Sequence, residues 1–568
     1  MAQWTVPSSR PLPGLFQHLN PSHWEEALKQ CGLEKRHGPL LSYLCDGFSY
    51  HSTVETNATL VYPNAPGAIN NPDAVLEIFQ REVDLERYLG PFDAAEVSMM
   101  IGRPFICHPI DLVDKSNGKK RLVENLSFPH NRPSLNSLTN HEDFSLNWGS
   151  FADAVELVVT APPGSQGATV DWKDAFRMLG IRPDEWWMGI VHFSSRYWID
   201  RCLKFGGSIS TFNFELVAAA FADIFHFRFA DGKLIYWVDD DLIRRSPTNQ
   251  IPNAPPLPPW TYSFDIQNVL DLGASLDAVF PPEKVVDFDF TSKYIGYMWH
   301  WDTKEVALPE KKRIAYLDVV SSLQASDDVS LKDLRSLCGK LAHCAAVKPH
   351  GRSKLRSLYD LKTRMEAAPR PHPLMKWHWE SSQSSALRWW FEELNKPNTR
   401  MKLCSHPRPN SPLKLYCDAS TSFGIGIVID DMYESFQFED GWESAGGISR
   451  SIGWAESAAV EILIYYALRL PGGVDENTHL EVFSDNSGVV GSWAKRSSRN
   501  PDHNEILGRI ITSLLAKGCF LTVTHVSTHD NPADLPSRGK HLPSYRRTTF
   551  AGFPPQLAGL LRRSGPLI

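Results

Sequence analysis

Apolar and charged positions change abruptly along the most informative segment of the chain, residues 234–243. An aromatic and β-branched run, Leu234–Val238, precedes three consecutive aspartates at 239–241, and the apolar pair Leu242-Ile243 follows them. This order predicts a strand, an acidic turn and a second strand, which together form a hairpin with charge at its tip. A solvated surface turn is the alternative, but the flanking residues are too apolar for it. We therefore predict that these carboxylates form a site for divalent cations.

A second strand pattern that ends in an acid lies upstream of the hairpin. Small and β-branched residues lead from Ala168 to Asp171, after which the pattern loosens into a turn or helix. Asp171 is the acid that we expect to join the hairpin carboxylates.

Acids recur at the ends of predicted elements past residue 410. An alternating strand at 413–418 ends in an acid, a strand of small residues follows at 424–428, and a helix is predicted from 456 to 468. A further strand, 480–484, also precedes an acid. The acids at these places and in a later Asn-Pro-Ala-Asp segment are Asp418, Glu456, Asp485 and Asp534. Four acids that converge on one site would repel one another unless metal ions bind between them.

Length and composition are compatible with several catalytic units. The 568 residues allow three or four domains of about 150 residues each. Nine cysteines without a Cys-x-x-Cys pair predict reduced thiols rather than disulfides or a zinc knuckle. No apolar stretch reaches the roughly 20 residues of a membrane span, and no apolar signal segment follows Met1. We therefore expect an intracellular chain that is neither secreted nor bound in a membrane.

The two amino-terminal acidic segments resemble motifs A and C of a reverse transcriptase palm. The Asp-x-x-Asp-Ala-Phe run at 171–176 is similar to motif A, and the aromatic-x-Asp-Asp hairpin at 237–240 is similar to motif C, with Trp237 where Tyr is usual. The resemblance implies that these acids bind two Mg²⁺ ions, with Mn²⁺ as an alternative. The metal-binding and catalytic acids of this unit would be Asp171, Asp239 and Asp240.

The run of three aspartates leaves the register of the catalytic pair open by one residue. Asp239 and Asp240 fit best, because Asp241 then falls on the outgoing strand.

The same resemblance assigns residues to the incoming nucleotide. The basic trio 119–121 opens the second strand of a hairpin predicted at 105–113 and 119–128, joined through an Asn-Gly turn. Phe176 corresponds to the aromatic gate beneath the nucleotide sugar. The assigned residues are Lys120, Arg121, Asp174, Ala175, Phe176, Phe205, Gly206 and Lys284. The alternatives are a solvated turn for Lys119, a surface lysine for Lys284 and ordinary core for Phe176.

The acids past residue 410 resemble, in their order, the four carboxylates of a ribonuclease H fold. This resemblance implies two further metal ions, held by Asp418, Glu456, Asp485 and Asp534. Glu461 competes with Glu456 for the helical position. His529 is a candidate for assisting product release, with an ordinary surface histidine as the alternative.

The predicted fold class is therefore an α+β and α/β multidomain chain. A right-hand polymerase of fingers, palm and thumb is followed by a helical connection and a ribonuclease H-like domain. The predicted domains are an amino-terminal extension (1–65), fingers and palm (66–312), thumb, connection and linker (313–410), a ribonuclease H-like domain (411–540) and a basic tail (541–568).

The function that the resemblance implies is an RNA-directed DNA polymerase with ribonuclease H activity. Its partners would be an RNA template, a DNA primer, the RNA–DNA hybrid and dNTPs. The phrases Leu-Ser-Phe-Pro and Asn-Pro-Ala-Asp-Leu-Pro-Ser-Arg favour a retroelement enzyme of the DIRS-like, tyrosine-recombinase kind. An inactive or domesticated copy that only binds nucleic acid is the alternative, which Trp237 and the net charge of −7 keep open.

Overall fold

The computed structural model describes residues 14–114, 118, 120–142, 144, 146–248, 260–398, 400–403, 410–498 and 500–565. The chain divides at Ile295 and Gly296 into two compact units. Both units mix helices with β-sheets, so the predicted mixed α/β, multidomain class is confirmed at that level. Lys119 and residues 404–409 of the predicted linker lie outside the described residues.

The amino-terminal unit contains the first two predicted acidic segments. Its helices are α1 (Pro21–Cys31), α2 (Gly38–Asp46), α3 (Pro66–Ile69), α4 (Pro72–Asp84), α5 (Ala94–Ile101), α6 (Phe151–Val159), α7 (Ser210–Arg228) and α8 (Ile266–Ser275). Its strands are β1 (Leu60–Val61), β2 (Tyr88–Phe92), β3 (Ile106–Cys107), β4 (Ile110–Asp114), β5 (Lys120–Glu124), β6 (Gln166–Asp171), β7 (Ile190–Phe193), β8 (Arg196–Asp200), β9 (Gly232–Trp237), β10 (Asp240–Arg245), β11 (Val286–Asp289) and β12 (Thr291–Tyr294).

The acidic hairpin lies in a sheet with the strand order β11–β6–β10–β9. β9 and β10 pair as an antiparallel hairpin, and β10 also pairs with β6, which confirms the predicted strands around the acidic turn. Helix α7 packs against β9 and buries residues on most sides, from Phe214 to Phe225. A helix that is apolar on all sides is typical of a protein core, so α7 forms part of the core that packs against this sheet.

The predicted hairpin before the first acidic strand is shorter than expected. Strands β4 and β5 pair antiparallel, but the predicted strand 105–113 is interrupted between β3 and β4. β3 joins a different sheet, in the order β1–β3–β7–β8–β2. The interruption falls at Pro109, which lacks the N–H that a continuous ladder requires.

The carboxyl-terminal unit holds the remaining predicted acids. Its helices are α9 (Glu310–Gln324), α10 (Leu331–Val347), α11 (Arg356–Glu366), α12 (Ser381–Asn395), α13 (Ile452–Ala467), α14 (Ser487–Lys495), α15 (Pro501–Ala516) and α16 (Asp534–Ser537). Its strands are β13 (Tyr297–His300), β14 (Glu305–Ala307), β15 (Asp328–Ser330), β16 (Lys376–His378), β17 (Met401–Lys402), β18 (Leu415–Ala419), β19 (Gly424–Ile429), β20 (Met432–Phe438), β21 (His479–Ser484), β22 (Phe520–His525), β23 (Arg546–Arg547) and β24 (Leu561–Arg563).

The main sheet of this unit has the order β22–β21–β18–β19–β20–β23, and β24 also pairs with β20. β18 runs parallel to β21 and antiparallel to β19. Helix α13 contacts β18 and β19 and is buried along nearly its whole length from Trp454 to Ala467. Residues 541–565, predicted as a basic tail, supply β23 and β24 to the edge of this sheet.

Among the described residues, no helix is long and apolar enough to cross a membrane. The cysteines in the described part of the chain are free thiols.

Candidate active sites

The acidic hairpin ends in a two-residue turn that sets three carboxylates at one end of the sheet. Trp237 pairs with Asp240, so Val238 and Asp239 alone form the turn. Val238 has a left-handed backbone (φ 57°), which a β-branched residue seldom adopts. Asp240 lies opposite Asp171 across the pairing of β10 with β6. We call Asp171, Asp239 and Asp240 the hairpin cluster.

Burial and mutual repulsion dominate the electrostatics of the hairpin cluster. Desolvation, and then the charge of Asp171, raises the pKa of Asp239. Desolvation, followed by the charges of Asp239 and Asp171, raises the pKa of Asp240 to about 6. The Lys284 ammonium forms an ion pair with Asp171 Oδ1. The cluster thus concentrates negative charge that a bound cation would relieve.

The third aspartate of the run faces the other side of the sheet. Asp241 is 1% exposed, and alternation along β10 turns its side chain away from that of Asp240. Trp172 Nε1 donates a hydrogen bond to Asp241 Oδ2 (3.0 Å), and the main-chain N–H of Trp172 donates to Asp239 O (2.9 Å). The structure therefore places Asp239 and Asp240, and not Asp241, beside Asp171.

Three residues predicted to bind the nucleotide form a continuous row. The guanidinium carbon of Arg121 lies 5.2 Å from the ring centroid of Phe205, and the ring of Phe205 lies 5.2 Å from that of Phe176. Phe176 is 9% exposed and also contacts Phe214 of α7, at 6.0 Å between centroids. The positive charge of Arg121 acts on Asp239. Arg121 thus lies within electrostatic reach of the hairpin cluster, and Phe176 forms the inner end of the row.

Position 206, also predicted to bind the nucleotide, must be a glycine because the backbone packs closely there. Its φ is +102°, and a Cβ at this position would lie 2.5 Å from Glu124 O, the last residue of β5. Only glycine accommodates both conditions. Asn136 Nδ2 donates to Gly206 O (2.8 Å), so this loop is also tied to the segment that follows the β4–β5 hairpin.

The other predicted nucleotide residues are held by partners outside the hairpin cluster. Asp174 has a left-handed backbone (φ 56°) and accepts a hydrogen bond from Arg87 Nη1 (3.1 Å). Ala175 is buried in the core. Lys120 Nζ contacts Asp114 Oδ1 at 3.1 Å.

The segments that carry the predicted nucleotide site also contain a buried charge network, which the sequence patterns do not predict. Arg177 Nη1 lies 2.9 Å from both oxygens of Asp200, and Lys204 Nζ lies 3.0 Å from Asp200 and 2.6 Å from Glu124. All four side chains are buried. Removing one partner of such a buried pair costs about 3–5 kcal/mol. Because Lys204 precedes Phe205, the network fixes the backbone that carries part of the predicted nucleotide site.

The carboxyl-terminal unit assembles a second and tighter group of acids. Asp418 lies on β18, Asp485 directly follows the neighbouring strand β21, and Glu456 lies on α13. One oxygen from each of these side chains lies within 4.8 Å of the others. No other trio of His, Cys, Asp or Glu side chains in the described ranges meets this spacing. We call Asp418, Glu456 and Asp485 the sheet cluster.

Two oxygens of the sheet cluster are buried without a hydrogen-bond partner among the described residues. They are Glu456 Oε2 and Asp485 Oδ1. Desolvation, followed by the neighbouring acids Asp418 and Asp485, raises the pKa of Glu456 to about 9. Desolvation, with Asp485 as the largest charge contribution, raises the pKa of Asp418 to about 7. Buried carboxylate oxygens without donors are costly, and divalent cations, which prefer oxygen ligands, fit this donor set.

Asp534 lies beside the sheet cluster, but it is not one of the acids whose oxygens lie within 4.8 Å of one another. Arg538 Nε donates to Asp534 Oδ1 (2.9 Å). The neighbouring hydroxyl, Ser537 Oγ, donates to Asp418 Oδ2 (2.5 Å), and the charge of Asp534 contributes to the raised pKa of Asp418. The segment that carries Asp534 is thus bound directly to the cluster.

The structure separates the alternatives for the helical acid, and it places the loop histidine at the surface. Arg509 forms a bidentate ion pair with Glu461, with N···O distances of 2.6 and 2.7 Å. Glu456, and not Glu461, is therefore the helical acid in the sheet cluster. The side chain of His529 is 97% exposed and lies 3.2 Å from Asp530.

Several residues that build the sheet cluster were missed by the sequence patterns. Asn531 Nδ2 donates to Cys417 O (3.1 Å), next to Asp418. A Cβ at Gly426 of β19 would lie 2.5 Å from Ala533 O and from Ser537 N. The only signal for this docking is the Asn-Pro-Ala-Asp-Leu-Pro-Ser-Arg segment itself, because the partner glycine lies more than 100 residues away in the chain.

Comparison with known proteins gives matches among solved structures only. The chain is similar to the foamy viral protease-reverse transcriptase dRH in complex with double-stranded DNA, at a TM-score of 0.46 and 13% identity over 92% of this chain and 84% of that chain. It is also similar to the foamy viral protease-reverse transcriptase in complex with an RNA/DNA hybrid, at a TM-score of 0.46 and 13% identity over 92% of this chain and 64% of that chain.

No protein-family model and no curated protein matches the sequence. Similarity at this level does not identify an activity, so the chemistry rests on the two carboxylate clusters.

Proposed function

We propose that this chain is an RNA-directed DNA polymerase with a separate ribonuclease H activity. The observation that carries the proposal is the pair of carboxylate clusters, one at a strand turn in the amino-terminal unit and one on the main sheet of the carboxyl-terminal unit. In this assignment the amino-terminal cluster joins nucleotides and the carboxyl-terminal cluster cuts the RNA strand of the hybrid.

Each cluster would hold two Mg²⁺ ions, or Mn²⁺ in their place. Asp171, Asp239 and Asp240 would bind one pair, and Asp418, Glu456, Asp485 and Asp534 the other. When bound, such ions neutralise phosphate charge and make an attacking oxygen more nucleophilic. The donor sets support this assignment, because both consist of carboxylates whose pKa values are raised by burial and then by mutual repulsion.

The residues around the hairpin cluster have distinct roles in this proposal. Arg121 would bind the triphosphate, because its guanidinium lies beside Phe205 and its charge reaches Asp239. Lys284 would donate a proton to the departing pyrophosphate. Lys284 is paired with Asp171, and it would be free to face the substrate when Asp171 serves as a metal ligand instead. Phosphoryl transfer depends mainly on such positioning and charge neutralisation.

The proposed substrates are an RNA template, a DNA primer, dNTPs and the resulting RNA–DNA hybrid. The second site would recognise the hybrid by its shape and its 2′-hydroxyl groups rather than by sequence. We further propose the fingers, palm, thumb and connection order given by the sequence resemblance. The DIRS-like assignment rests on short phrases of the sequence alone.

The test is primer extension on an RNA template by the full chain in Mg²⁺, run beside cleavage of a preformed RNA–DNA hybrid. The wild-type chain should do both. Asp171→Asn should remove extension, whereas Asp289→Asn should not, because Asp289 is an exposed acid at the end of β11 in the same sheet. A chain that binds primer–template without extending it would refute the polymerase assignment and favour a nucleic-acid-binding retroelement copy.

A further inference from the structure

Trp172 joins the two halves of the hairpin cluster. It directly follows Asp171, and its main-chain N–H donates to Asp239 O at 2.9 Å. Its indole Nε1 donates to Asp241 Oδ2 at 3.0 Å. One residue next to the first acid therefore contacts the hairpin at two points, in the turn and on the face of β10 that points away from the cluster.

The indole is held in place independently of this bond. Trp172 is 1% exposed, and its ring contacts Phe214, Phe221 and Phe280 edge-on, with centroids 5.1–5.4 Å apart. Phe214 and Phe221 belong to the buried helix α7. The indole N–H is therefore a donor at a fixed position, and the position of Asp241 along β10 must match it.

An acid at position 241 is not explained by core packing. Its side chain is buried, and taking a carboxyl group out of water is unfavourable unless it is hydrogen-bonded. An apolar pair at positions 172 and 241 would fill such a core without that cost. A buried polar pair is geometrically more demanding than an apolar contact, because the donor and acceptor must meet within about 3 Å at a favourable angle.

We propose that Asp241 is a positioning residue for the hairpin cluster. Its hydrogen bond with the Trp172 indole sets the register of β10 against the end of β6, and thereby sets the distances of Asp239 and Asp240 from Asp171. Asp241 itself touches neither substrate nor metal. This inference rests on the proposed metal-binding role of the cluster, but its first test does not require polymerisation.

The first test is a Mn²⁺ titration of the full chain, monitored by electron paramagnetic resonance. It is performed in the Asp485→Asn background to weaken binding at the sheet cluster. Asp241→Leu removes the acceptor, and Trp172→Phe removes the donor while keeping a ring. Each should weaken Mn²⁺ binding at the hairpin by about tenfold, the range found for groups that orient metal ligands. Asp241→Asn keeps a carbonyl acceptor and should bind Mn²⁺ within about twofold of the parent.

The double variant Asp241→Leu/Trp172→Phe should bind Mn²⁺ no more weakly than either single variant, because both remove the same bond. Unchanged Mn²⁺ affinity in Trp172→Phe would overturn the proposal. Equal losses in Asp241→Asn and Asp241→Leu would also overturn it, because charge rather than hydrogen bonding would then be responsible.

A parallel measurement separates this inference from the proposed polymerase function. With Asp485 restored, Asp241→Leu should raise the Mg²⁺ concentration needed for half-maximal extension and leave hybrid cleavage unchanged, which also reports intact folding of the other unit. Weakened Mn²⁺ binding in a chain whose wild type does not extend primers would support the positioning role and refute the polymerase. Normal extension with an unshifted Mg²⁺ requirement would refute the positioning role alone.

Discussion

The hairpin cluster draws its acids from two adjacent strands and a two-residue turn, and a lysine is already paired with one of them. The sheet cluster draws its acids from β18, from the residue that directly follows the parallel strand β21, and from a helix. No ion pair to Asp418, Glu456 or Asp485 is found among the described residues, and two of their buried oxygens lack donors. The two clusters therefore place acids together by different means.

The difference shows how strongly each cluster depends on local contacts. Glu456 is held by α13, a helix buried along nearly its whole length in the core, so the sheet cluster is assembled by the packing of a whole domain. The hairpin cluster depends on the Val238–Asp239 turn and on the contacts of Trp172. We therefore expect single substitutions to disturb the hairpin cluster more readily, and each activity to fail independently of the other.

The largest expected effect is the loss of extension in Asp239→Asn. The change keeps the size of the side chain and removes one charge from the hairpin cluster. Partners that only orient metal ligands contribute about 10–100-fold, so losing a proposed ligand should reduce primer extension by more than about 100-fold. Hybrid cleavage measured on the same preparation should persist. Normal extension by this variant would exclude Asp239 from the site.

Asp485→Asn should give the opposite result. It removes an acid from the sheet cluster and should abolish hybrid cleavage, while extension on an RNA template continues at the wild-type rate. Asp475→Asn is the matched control, because Asp475 is an exposed acid in the same unit. Equal loss of both activities in Asp485→Asn would contradict the independence of the two clusters.

Sugar selection should belong to the hairpin site alone. Phe176 adjoins Phe205 at the inner end of the row that begins with Arg121. If Phe176 excludes a 2′-hydroxyl, Phe176→Ala should raise ribonucleotide incorporation relative to deoxynucleotides by about tenfold or more, the scale on which pocket shape discriminates. Competitive incorporation of the two sugars measures this ratio.

Phe225→Ala is the control for a purely structural role of Phe176. Phe225 is fully buried on α7 and contacts Phe264, so its truncation should cost about 3–5 kcal/mol of stability without changing the sugar ratio. If Phe176→Ala likewise lowers the melting temperature and leaves the ratio unchanged, Phe176 is core and not part of the site.

The smallest expected effect is a pH-dependent stabilisation by divalent cations. In the folded chain the pKa of Asp418 is raised to about 7 and that of Glu456 to about 9, above their ordinary values of 3.8 and 4.5. Between pH 3.8 and about 7 for Asp418, and between pH 4.5 and about 9 for Glu456, the folded state therefore binds more protons than the unfolded state. The free energy of unfolding falls as pH rises through these ranges. Melting curves in chelator should show this fall.

Mg²⁺ should reverse the loss, because a cation can replace the protons between the carboxylates. The rise in melting temperature on adding Mg²⁺ should be larger at pH 8 than at pH 5, and smaller at pH 8 in Asp418→Asn than in the wild type. An equal rise at both pH values would contradict the proposed protonation of the sheet cluster.

Local patterns in the sequence were sufficient to predict the acidic strands. The alternation and apolar flanks around residues 166–171 and 232–245 specify strands with acids at their ends, and the helix predicted from 456 to 468 is present as α13, Ile452–Ala467. Such signals are local, because the period of a strand or helix and the residues that interrupt it lie within one short segment.

Only the tertiary structure shows which charged residues from distant segments pair with each other. Glu456 and Glu461 lie on the same helix, and only the position of Arg509 on α15 separates their roles. The network of Arg177, Asp200 and Lys204 has no local signature, because each charge alone is also typical of a solvated surface. A buried charge is tolerated only with its partner, and that partner is defined by packing rather than by sequence position.

The three aspartates of the hairpin show the same division within one segment. The sequence alone determined that acids stand at the tip of an apolar hairpin. Which of them face Asp171 depended on the pairing of β10 with β6 and on the indole of Trp172, which directly follows β6. A shift of one residue in strand register moves every side chain to the opposite face, so the tertiary structure had to decide that Asp239 and Asp240 face the cluster and that Asp241 faces the core.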